Sequence, residues 1–352
     1  MLKTYFLGAN SHKGFFSMYE QFAAAPGDFL HIIKGGPGTG KSSFMKKIAE
    51  RAEEKGFECE RLLCSGDPDS LDGIYIPQLK TGWVDGTAPH VCEPRAFGFS
   101  GDYVNLGGFF RQPNVKDYVN QNAAEKINRK YKNLYAQSYA ALATMQKLKK
   151  ASDCDIWSGE RLDTAKKRVS AILRRYGTAS KSDTRKIKHC FASAISCMGV
   201  LRLNEEINKL CKLKYILEND YLGADVLLEY AALQAEEMGA DVIYCHSPLE
   251  PEKIEGLILP ETGLGLFNSD WDEEGCRHIR LDEMVPQSIQ REQRSQRRRA
   301  ARIRRECMEL ALEKLAQAKS LHDELEAQYR PYMDFEALNE FVEAEIEKLF
   351  DR

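Results

Sequence analysis

The chain has 352 residues, of which 43% are hydrophobic, and its 50 basic and 53 acidic side chains leave a formal net charge of -3. This length predicts about two domains, and the small net charge argues against a general attraction to nucleic acid or to a membrane surface. The ten cysteines contain no C-x-x-C pair, which favours free thiols, and no stretch of about 18 apolar residues occurs, so we expect a cytoplasmic protein.

The first strong feature in chain order is the stretch Gly35–Ser42, here called the glycine loop. It matches the phosphate-binding pattern G-x-x-x-x-G-K-[ST] at every defined position. The apolar run 29–33 before it predicts a buried strand, and 43–55 predicts the helix that follows. Glycines let the backbone turn its N–H groups toward an anion, and the helix N-terminus adds the positive end of its dipole. The context therefore predicts an α/β fold with a phosphate site.

The pattern assigns chemistry to individual residues of the glycine loop. Backbone amides would cradle the phosphates, Lys41 would reach the β- and γ-phosphate oxygens, and the Ser42 hydroxyl would be a ligand of Mg²⁺. ATP and Mg²⁺ are thus the expected cofactors, and Lys41 is an expected catalytic residue. The predicted nucleotide-binding residues are Gly35, Gly36, Pro37, Gly38, Thr39, Gly40, Lys41, Ser42 and Ser43.

Later segments indicate further strands at 57–64, 74–76 and 82–85, which fits a parallel sheet with its ligand at the carboxyl ends of the strands. A phosphate-loop enzyme needs a second acid near the Mg²⁺, and Asp85 ends the last of these segments. We therefore predict Asp85 as a catalytic and metal-linked residue; alternatively, it only starts a turn with Gly86. Other side chains that could face the γ-phosphate are Asp67, Asp69, Asp72 and His90.

Two stretches without Gly or Pro follow, at 114–150 and 160–176, and both predict long helices. They would form a helical extension or lid of the nucleotide domain, or an ordinary layer that covers its sheet.

The second half of the chain repeats the first. A shift of 183 positions aligns 49–82 with 232–265 without a gap and gives nine identities in 34 positions. The identities concentrate at turns and helix ends, where backbone geometry restricts the residue type. We therefore predict an α/β chain of two tandem P-loop NTPase-like parallel-sheet domains, each with appended long helices. The predicted parts are a first domain at 1–177, a linker at 178–188 and a second domain at 189–352.

In the second half, residues 218–225 align with the glycine loop but do not keep its pattern. Ala224 replaces the lysine, and Asp225 replaces the serine. Carboxylates now stand where phosphate would bind, so we expect this copy to be structural or regulatory. These carboxylates are Glu218, Asp220 and Asp225.

The repeat also serves as an internal control on the acids. Asp85 corresponds to Asn268 and so loses its charge together with the lysine, which favours Asp85 as the metal-linked acid. The competing acids keep their charge in the copy and are therefore expected to be structural. They are Asp67, Asp69 and Asp72, which correspond to Glu250, Glu252 and Glu255.

A basic run at Arg291–Arg305 lies in a predicted helix of low apolar content. It is a candidate surface for a protein or acidic partner, with nucleic acid less favoured. The alternative is a solvated face, or one neutralised across a hairpin by the acid-rich segment 306–326.

Three segments carry a resemblance to a known family: Lys34–Ser42, Asp67–Gly73 and Asp85–His90. With them the chain resembles an uncharacterised bacterial family of tandem P-loop ATPases, in which two such halves are joined head to tail. The resemblance covers essentially the whole chain and implies ATP binding, without a known substrate. Family members carry an intact loop in both halves, so the chain departs from the family at 218–225. The glycine loop is also similar to those of AAA-type ATPases.

Three functions fit these features. The first is a Mg-ATPase with one site in the first half. A small-molecule kinase would need arginines that close over the γ-phosphate, for which Arg95 and Arg111 are available. A nucleotide-gated binding module would hold ATP without turnover and use Arg291–Arg305 as its partner surface.

Overall fold

The computed structural model describes residues 2–89, 91–111, 118–151, 157, 159–177, 185–218 and 223–350. In these ranges the chain is an α/β protein with two six-stranded sheets. By its packing it divides into two compact units, each described by itself. Unit 1 contains residues 1–16, 139–195 and 200–311, and unit 2 contains residues 17–138, 196–199 and 312–352.

The α-helices in the described ranges are α1 Lys41–Glu54, α2 Tyr118–Ala151, α3 Gly159–Tyr176, α4 Asn204–Leu210, α5 Ala224–Glu237, α6 Gln287–Tyr329 and α7 Phe335–Phe350. The strands of the first half are β1 Thr4–Tyr5, β2 Gly8–Ser11, β3 Gly14–Ser17, β4 Phe29–Lys34, β5 Glu60–Leu63, β6 Leu71–Ile76, β7 Thr81–Asp85 and β8 Gly101–Asn105. Those of the second half are β9 Ile187–Cys190, β10 Ser193–Ser196, β11 Gly199–Arg202, β12 Leu213–Leu217, β13 Val242–His246, β14 Ile254–Leu259, β15 Leu264–Asn268 and β16 Arg277–Ile279.

The sheet of unit 2 contains the order β5-β6-β7-β4-β8. Strand β4 is parallel to both β7 and β8, as predicted, whereas β6 is antiparallel to β5 and β7. The expectation of a parallel sheet is therefore wrong at this edge, and the sheet is mixed. The reason is the length of the connections, because residues 64–70 and 77–80 are too few for the crossover that parallel neighbours require.

The core of unit 2 forms between its sheet and two helices. Helix α1 buries one face, and α7 buries a stripe with a spacing of four residues at Leu338, Val342 and Ile346. Both helices contribute to one apolar cluster that also contains Ile33 and Ile74. The last helix of the chain thus belongs to the core around the glycine loop.

The sheet of unit 1 has the order β16-β12-β15-β14-β13-β9. Strand β12 is parallel to β15 and β16, and β14 is antiparallel to β13 and β15, so this sheet is also mixed. Helices α3 and α5 pack together in its core. Packing therefore assigns α3 and α7 each to the sheet of the other sequence half, which differs from the predicted domains 1–177 and 189–352. Residues 178–184 of the predicted linker lie outside the described residues.

Element boundaries repeat along the chain. Helix α1 begins at Lys41 and α5 at Ala224, which is 183 positions later. The same shift relates β6 to β14 and β7 to β15 at both of their ends. The repeat that was predicted from turn and cap residues is thus present in the three-dimensional structure.

Helix α6 is continuous over 43 residues. It therefore contains both Arg291–Arg305 and 306–326, and the alternative of neutralisation across a hairpin is wrong. Arg302 and Glu306 approach to 3.6 Å, but they are one turn apart on the same helix. None of the described helices has the length and apolar character needed to cross a membrane.

Candidate functional site

The glycine loop joins strand β4, which lies between β7 and β8, to α1. Gly38 and Gly40 have φ values of +70° and +85°, which L-residues with a side chain rarely adopt. A Cβ atom on Gly35 would lie 2.5 Å from Thr39 Oγ1, so this position has no room for a side chain. The Thr39 hydroxyl donates to the Gly36 carbonyl at 2.9 Å and closes the turn. Glycine is therefore favoured at Gly38 and Gly40 by the backbone conformation and at Gly35 by the closeness of the Thr39 side chain.

The N-terminus of α1 offers donors to an anion. Its N-cap is Gly40, which has no side chain to accept hydrogen bonds from the first-turn amides of Lys41, Ser42 and Ser43. Further out in the loop, the Gly38 amide donates to Glu326 Oε1 at 3.2 Å. A loop amide thus already binds an anionic oxygen supplied by the chain itself.

Lys41 lies across the glycine loop. Its Nζ donates to the carbonyls of Gly35 and Gly36 at 3.1 and 3.0 Å. The same nitrogen lies 3.7 Å from Asp85 Oδ2, and both side chains are largely buried, with 15% and 13% of their surface exposed. The structure therefore brings together the two residues predicted as catalytic.

Asp85 has two roles in the structure. Its Oδ1 accepts hydrogen bonds from the Thr87 amide at 2.8 Å and the Thr87 hydroxyl at 2.6 Å, which forms the turn that was the alternative interpretation. Its Oδ2 faces Lys41. In the repeat, Asn268 Oδ1 accepts from the Asp270 amide in the same way, at 3.0 Å. The turn thus needs only a side-chain oxygen as acceptor, whereas the negative charge of Asp85 interacts with the Lys41 ammonium group.

Ser42 and Asp85, the predicted Mg²⁺ ligands, offer oxygen atoms of the kind that a hard cation binds. Ser42 Oγ accepts from the Leu71 amide at 2.9 Å and retains a second lone pair. Ser42 and Asp85 line one cavity of about 520 Å³, here called the loop cavity, together with the whole glycine loop. Hydroxyl and carboxylate oxygens are the donors that Mg²⁺ prefers.

The competing acids have structural partners. Asp67 accepts from the Ser70 hydroxyl at 3.0 Å. The buried Asp72 accepts from the Tyr19 hydroxyl at 2.6 Å. Burial, with the Asp72 charge as a further cause, raises the pKa of Tyr19 and keeps its hydroxyl a donor.

Other predicted residues are less involved. The Asp69 carbonyl accepts from Lys46, and the carboxylate of Asp69 is not in the described lining of the loop cavity. His90 lies outside the described residues. Arg95 donates to the carbonyls of Ala23 and Ala24. Arg111 pairs with Asp334 at 2.5 Å. Neither arginine is in the described lining of the loop cavity.

Side chains from distant helices complete the loop cavity, and the sequence reasoning missed them. Tyr131 and Tyr135 come from α2, four others come from the last turns of α6, and Arg330 and Phe335 follow α6 in the chain. Their helical spacing of three and four residues places the α6 residues on one face of the helix. The spacing does not show which part of the chain that face contacts. These α6 residues are Lys319, His322, Asp323 and Glu326.

One group in the described part of the chain brings metal-ligating atoms together. Ligand atoms of His322, Asp323 and Glu326 lie within 4.8 Å of one another. The group lines the same cavity as Ser42 and Asp85, so this wall offers further oxygen and nitrogen donors to a cation.

The degenerate copy in unit 1 has a different local geometry. Gly223 corresponds to Gly40 but has a φ of -93°, so the left-handed turn is absent at that residue. A Cβ on Gly223 would lie 2.4 Å from the indole of Trp157, which covers this position. Ala224 is buried, and Asp225 pairs with Lys253 at 2.6 Å. Residues 219–222, including Asp220, lie outside the described ranges.

Comparisons of the chain with protein-family models, with curated proteins and with solved structures found no match. The resemblance to tandem P-loop ATPases therefore stays a prediction.

Proposed function

We propose that unit 2 binds ATP with Mg²⁺ at the glycine loop and hydrolyses it. The observation that carries this proposal is the position of Lys41, whose Nζ lies between the loop carbonyls and Asp85 Oδ2. Next to it are the uncapped first-turn amides of α1. Amide donors, a lysine and a strand-end carboxylate in one cavity are the groups that phosphoryl transfer requires.

Each residue has a defined task in this proposal. The amides of the loop and of the first turn of α1 hold the phosphates, because they have no intrahelical acceptor. Lys41 Nζ exchanges its two carbonyl acceptors for anionic phosphate oxygens, which form stronger charge-assisted hydrogen bonds. Ser42 and Asp85 would hold Mg²⁺, which supplies neutralisation of the charge that develops on the phosphates.

The kinase alternative receives less support from the geometry. Its arginines do not contact the described walls of the loop cavity: Arg95 donates to the carbonyls of Ala23 and Ala24, and Arg111 pairs with Asp334. For the second half we propose a structural or regulatory role without nucleotide binding. The indole of Trp157 and the carboxylate of Asp225 support this role, because the indole covers Gly223, the counterpart of Gly40, and the carboxylate stands at the position of Ser42.

Phosphate release by the purified full-length chain tests the proposal. We expect Mg-ATP-dependent release that falls by about 100-fold or more in Lys41→Ala, as is typical when a donor to the transition state is lost. The control is Lys47→Ala, a lysine of the same helix that bonds Asn339 instead. Release that is equal in wild type and Lys41→Ala would contradict hydrolysis at this loop. ATP binding without any release would favour the nucleotide-gated binding module.

A further inference from the structure

A second cavity, of about 840 Å³, lies within unit 1. We call it the arginine cavity. Its walls are the N-terminal half of α6, the hairpin β10–β11, the end of β15 and one turn of α2. Only two carboxylates, those of Glu255 and Asp270, are in its described lining. Its cationic residues are Lys149, Arg202, Arg291, Arg294, Arg297, Arg298 and Arg304.

The arginines occupy the inner face of α6. A packed helix normally has apolar residues at steps of three and four along this face. Here the residues at that spacing that line the cavity are Gln290, Arg294, Arg297, Ala301, Arg304 and Met308. The helix therefore turns guanidinium groups, rather than an apolar stripe, toward the cavity.

Positive charge in the arginine cavity exceeds what the protein neutralises. Arg202 has Asp270 at 3.9 Å, and Lys149 pairs with Glu250. In the described part of the chain, Arg294, Arg298 and Arg304 form no hydrogen bond or ion pair. Arg304 is half-buried, and its burial, together with the charge of Arg297, lowers its pKa. Crowded and partly desolvated guanidinium groups are unfavourable unless an anion joins them.

The arrangement also indicates the kind of anion. Arg294 and Arg304 are ten residues apart, which spans about 15 Å along a helix and suits several anionic groups rather than one. The planar fork of arginine matches phosphate oxygens in pairs. The described lining contains no aromatic residue, so the cavity offers no surface for stacking a base.

We propose that the arginine cavity binds a small, extended polyanion that carries two or more phosphate groups and no stacked base. This site is separate from the glycine loop and does not depend on the proposed ATPase activity. It gives the unit with the degenerate copy a ligand-binding role of its own, next to the carboxyl ends of β13 and β15.

Titration calorimetry with inorganic tripolyphosphate tests this site. All proteins carry Lys41→Ala, so that the glycine loop contributes little to the signal. We expect the parent to bind with micromolar affinity and the double variant Arg297→Gln/Arg304→Gln to bind at least 10-fold more weakly. The matched control is Arg299→Gln/Arg305→Gln, which removes the same charge from exposed positions of α6 outside the described lining. This control should stay within twofold of the parent.

A single variant guards against misfolding of the double variant. Arg294→Gln changes an exposed side chain of the lining and should weaken tripolyphosphate binding about threefold without altering the circular dichroism spectrum. Equal losses in the lining pair and the control pair would overturn the proposal, because they would indicate general surface electrostatics. Absence of binding to the parent would also overturn it. So would equally tight binding of citrate, or tighter binding of a single-stranded oligonucleotide.

Discussion

The amide of Gly38 donates a hydrogen bond to Glu326 Oε1 at 3.2 Å, although 288 positions separate the two residues in the sequence. The contact is close along the backbone as well, because a Cβ on Gly38 would lie 3.3 Å from the Glu326 carbonyl oxygen. The Glu326 carboxylate of α6 therefore occupies one of the backbone N–H donors of the glycine loop. Phosphate and carboxylate repel each other, so the proposed nucleotide binding would require Glu326 to withdraw or be neutralised.

Glu326→Gln is expected to tighten ATP binding by about 3- to 10-fold, or roughly 1 kcal/mol, because the amide oxygen still accepts from Gly38 while the charge is lost. Equilibrium binding of a fluorescent ATP analogue measures the effect. Glu324→Gln is the control, since Glu324 is an exposed residue of the same helix. Weaker binding by Glu326→Gln than by wild type would instead indicate that the carboxylate assists a bound cation through the group His322, Asp323 and Glu326.

Asp85→Asn should distinguish the role of Asp85 in the turn from its role in phosphate release. The asparagine oxygen can accept from Thr87 as Asn268 does from Asp270, so we expect the free energy of unfolding to stay within about 0.5 kcal/mol of wild type. Mg-dependent phosphate release should nevertheless fall by about 100-fold, because the charge next to Lys41 is lost. Asp85→Ala should lose both activity and about 1–2 kcal/mol of stability. Urea unfolding and phosphate release measure the two effects, and wild-type release by Asp85→Asn would exclude a metal-linked role.

The local part of the site could be predicted from the sequence. The spacing of glycines fixes the turn at Gly38 and Gly40, and a strand-end position brings Asp85 opposite Ile33 on the parallel neighbour β4. The turn depends on residues that are close in the sequence, and the position of Asp85 depends on the direction of two neighbouring strands. A sequence motif reflects both constraints. The motif context predicted the helix after the loop at 43–55, close to the observed Lys41–Glu54.

The distant walls of the site could not be predicted. Leu338, Val342 and Ile346 form an apolar stripe that would fit any apolar surface, and the sequence does not say that the surface belongs to the first sheet. Charges such as Glu326 look like ordinary solvated residues of a long helix. The antiparallel edge at β6 was missed because apolar runs do not show strand direction, although the short connections 64–70 and 77–80 could have indicated it.

Gly40→Ala is expected to destabilise the chain. Gly40 has a φ of +85°, and a Cβ there would lie 3.2 Å from Leu338 Cδ2, so the variant combines backbone strain with crowding of α7. We expect a loss of about 1–2 kcal/mol in the free energy of unfolding. Gly36→Ala is the control, because nothing lies within 4 Å of a Cβ at that position and its φ is outside the left-handed region. Similar losses in both variants, measured by urea unfolding, would show that the strain at Gly40 is not the cause.

Glu255 is a buried carboxyl that accepts from the Ser193 hydroxyl at 2.5 Å and from the Trp271 indole at 3.1 Å. Burial raises the pKa of Glu255 from 4.5 to about 7; the charge of Asp270 acts in the same direction, whereas Arg202 and the two hydrogen bonds oppose it. The folded chain thus binds this proton more tightly than the unfolded chain does. Its contribution to stability is complete below about pH 4.5 and is lost as the pH rises through 7.

Between pH 5 and 8 the stability of wild type relative to Glu255→Gln should therefore fall by up to about 3 kcal/mol. Glutamine keeps the oxygen that accepts from Ser193 and Trp271 but does not titrate. The difference between the two proteins also removes the opposite trend of His189 and His246, because burial lowers the pKa of both histidines in each protein. Urea unfolding at several pH values measures the difference. A difference that stays constant from pH 5 to 8 would show that Glu255 is already ionised in the folded chain, with Arg202 rather than burial as the dominant influence on its charge.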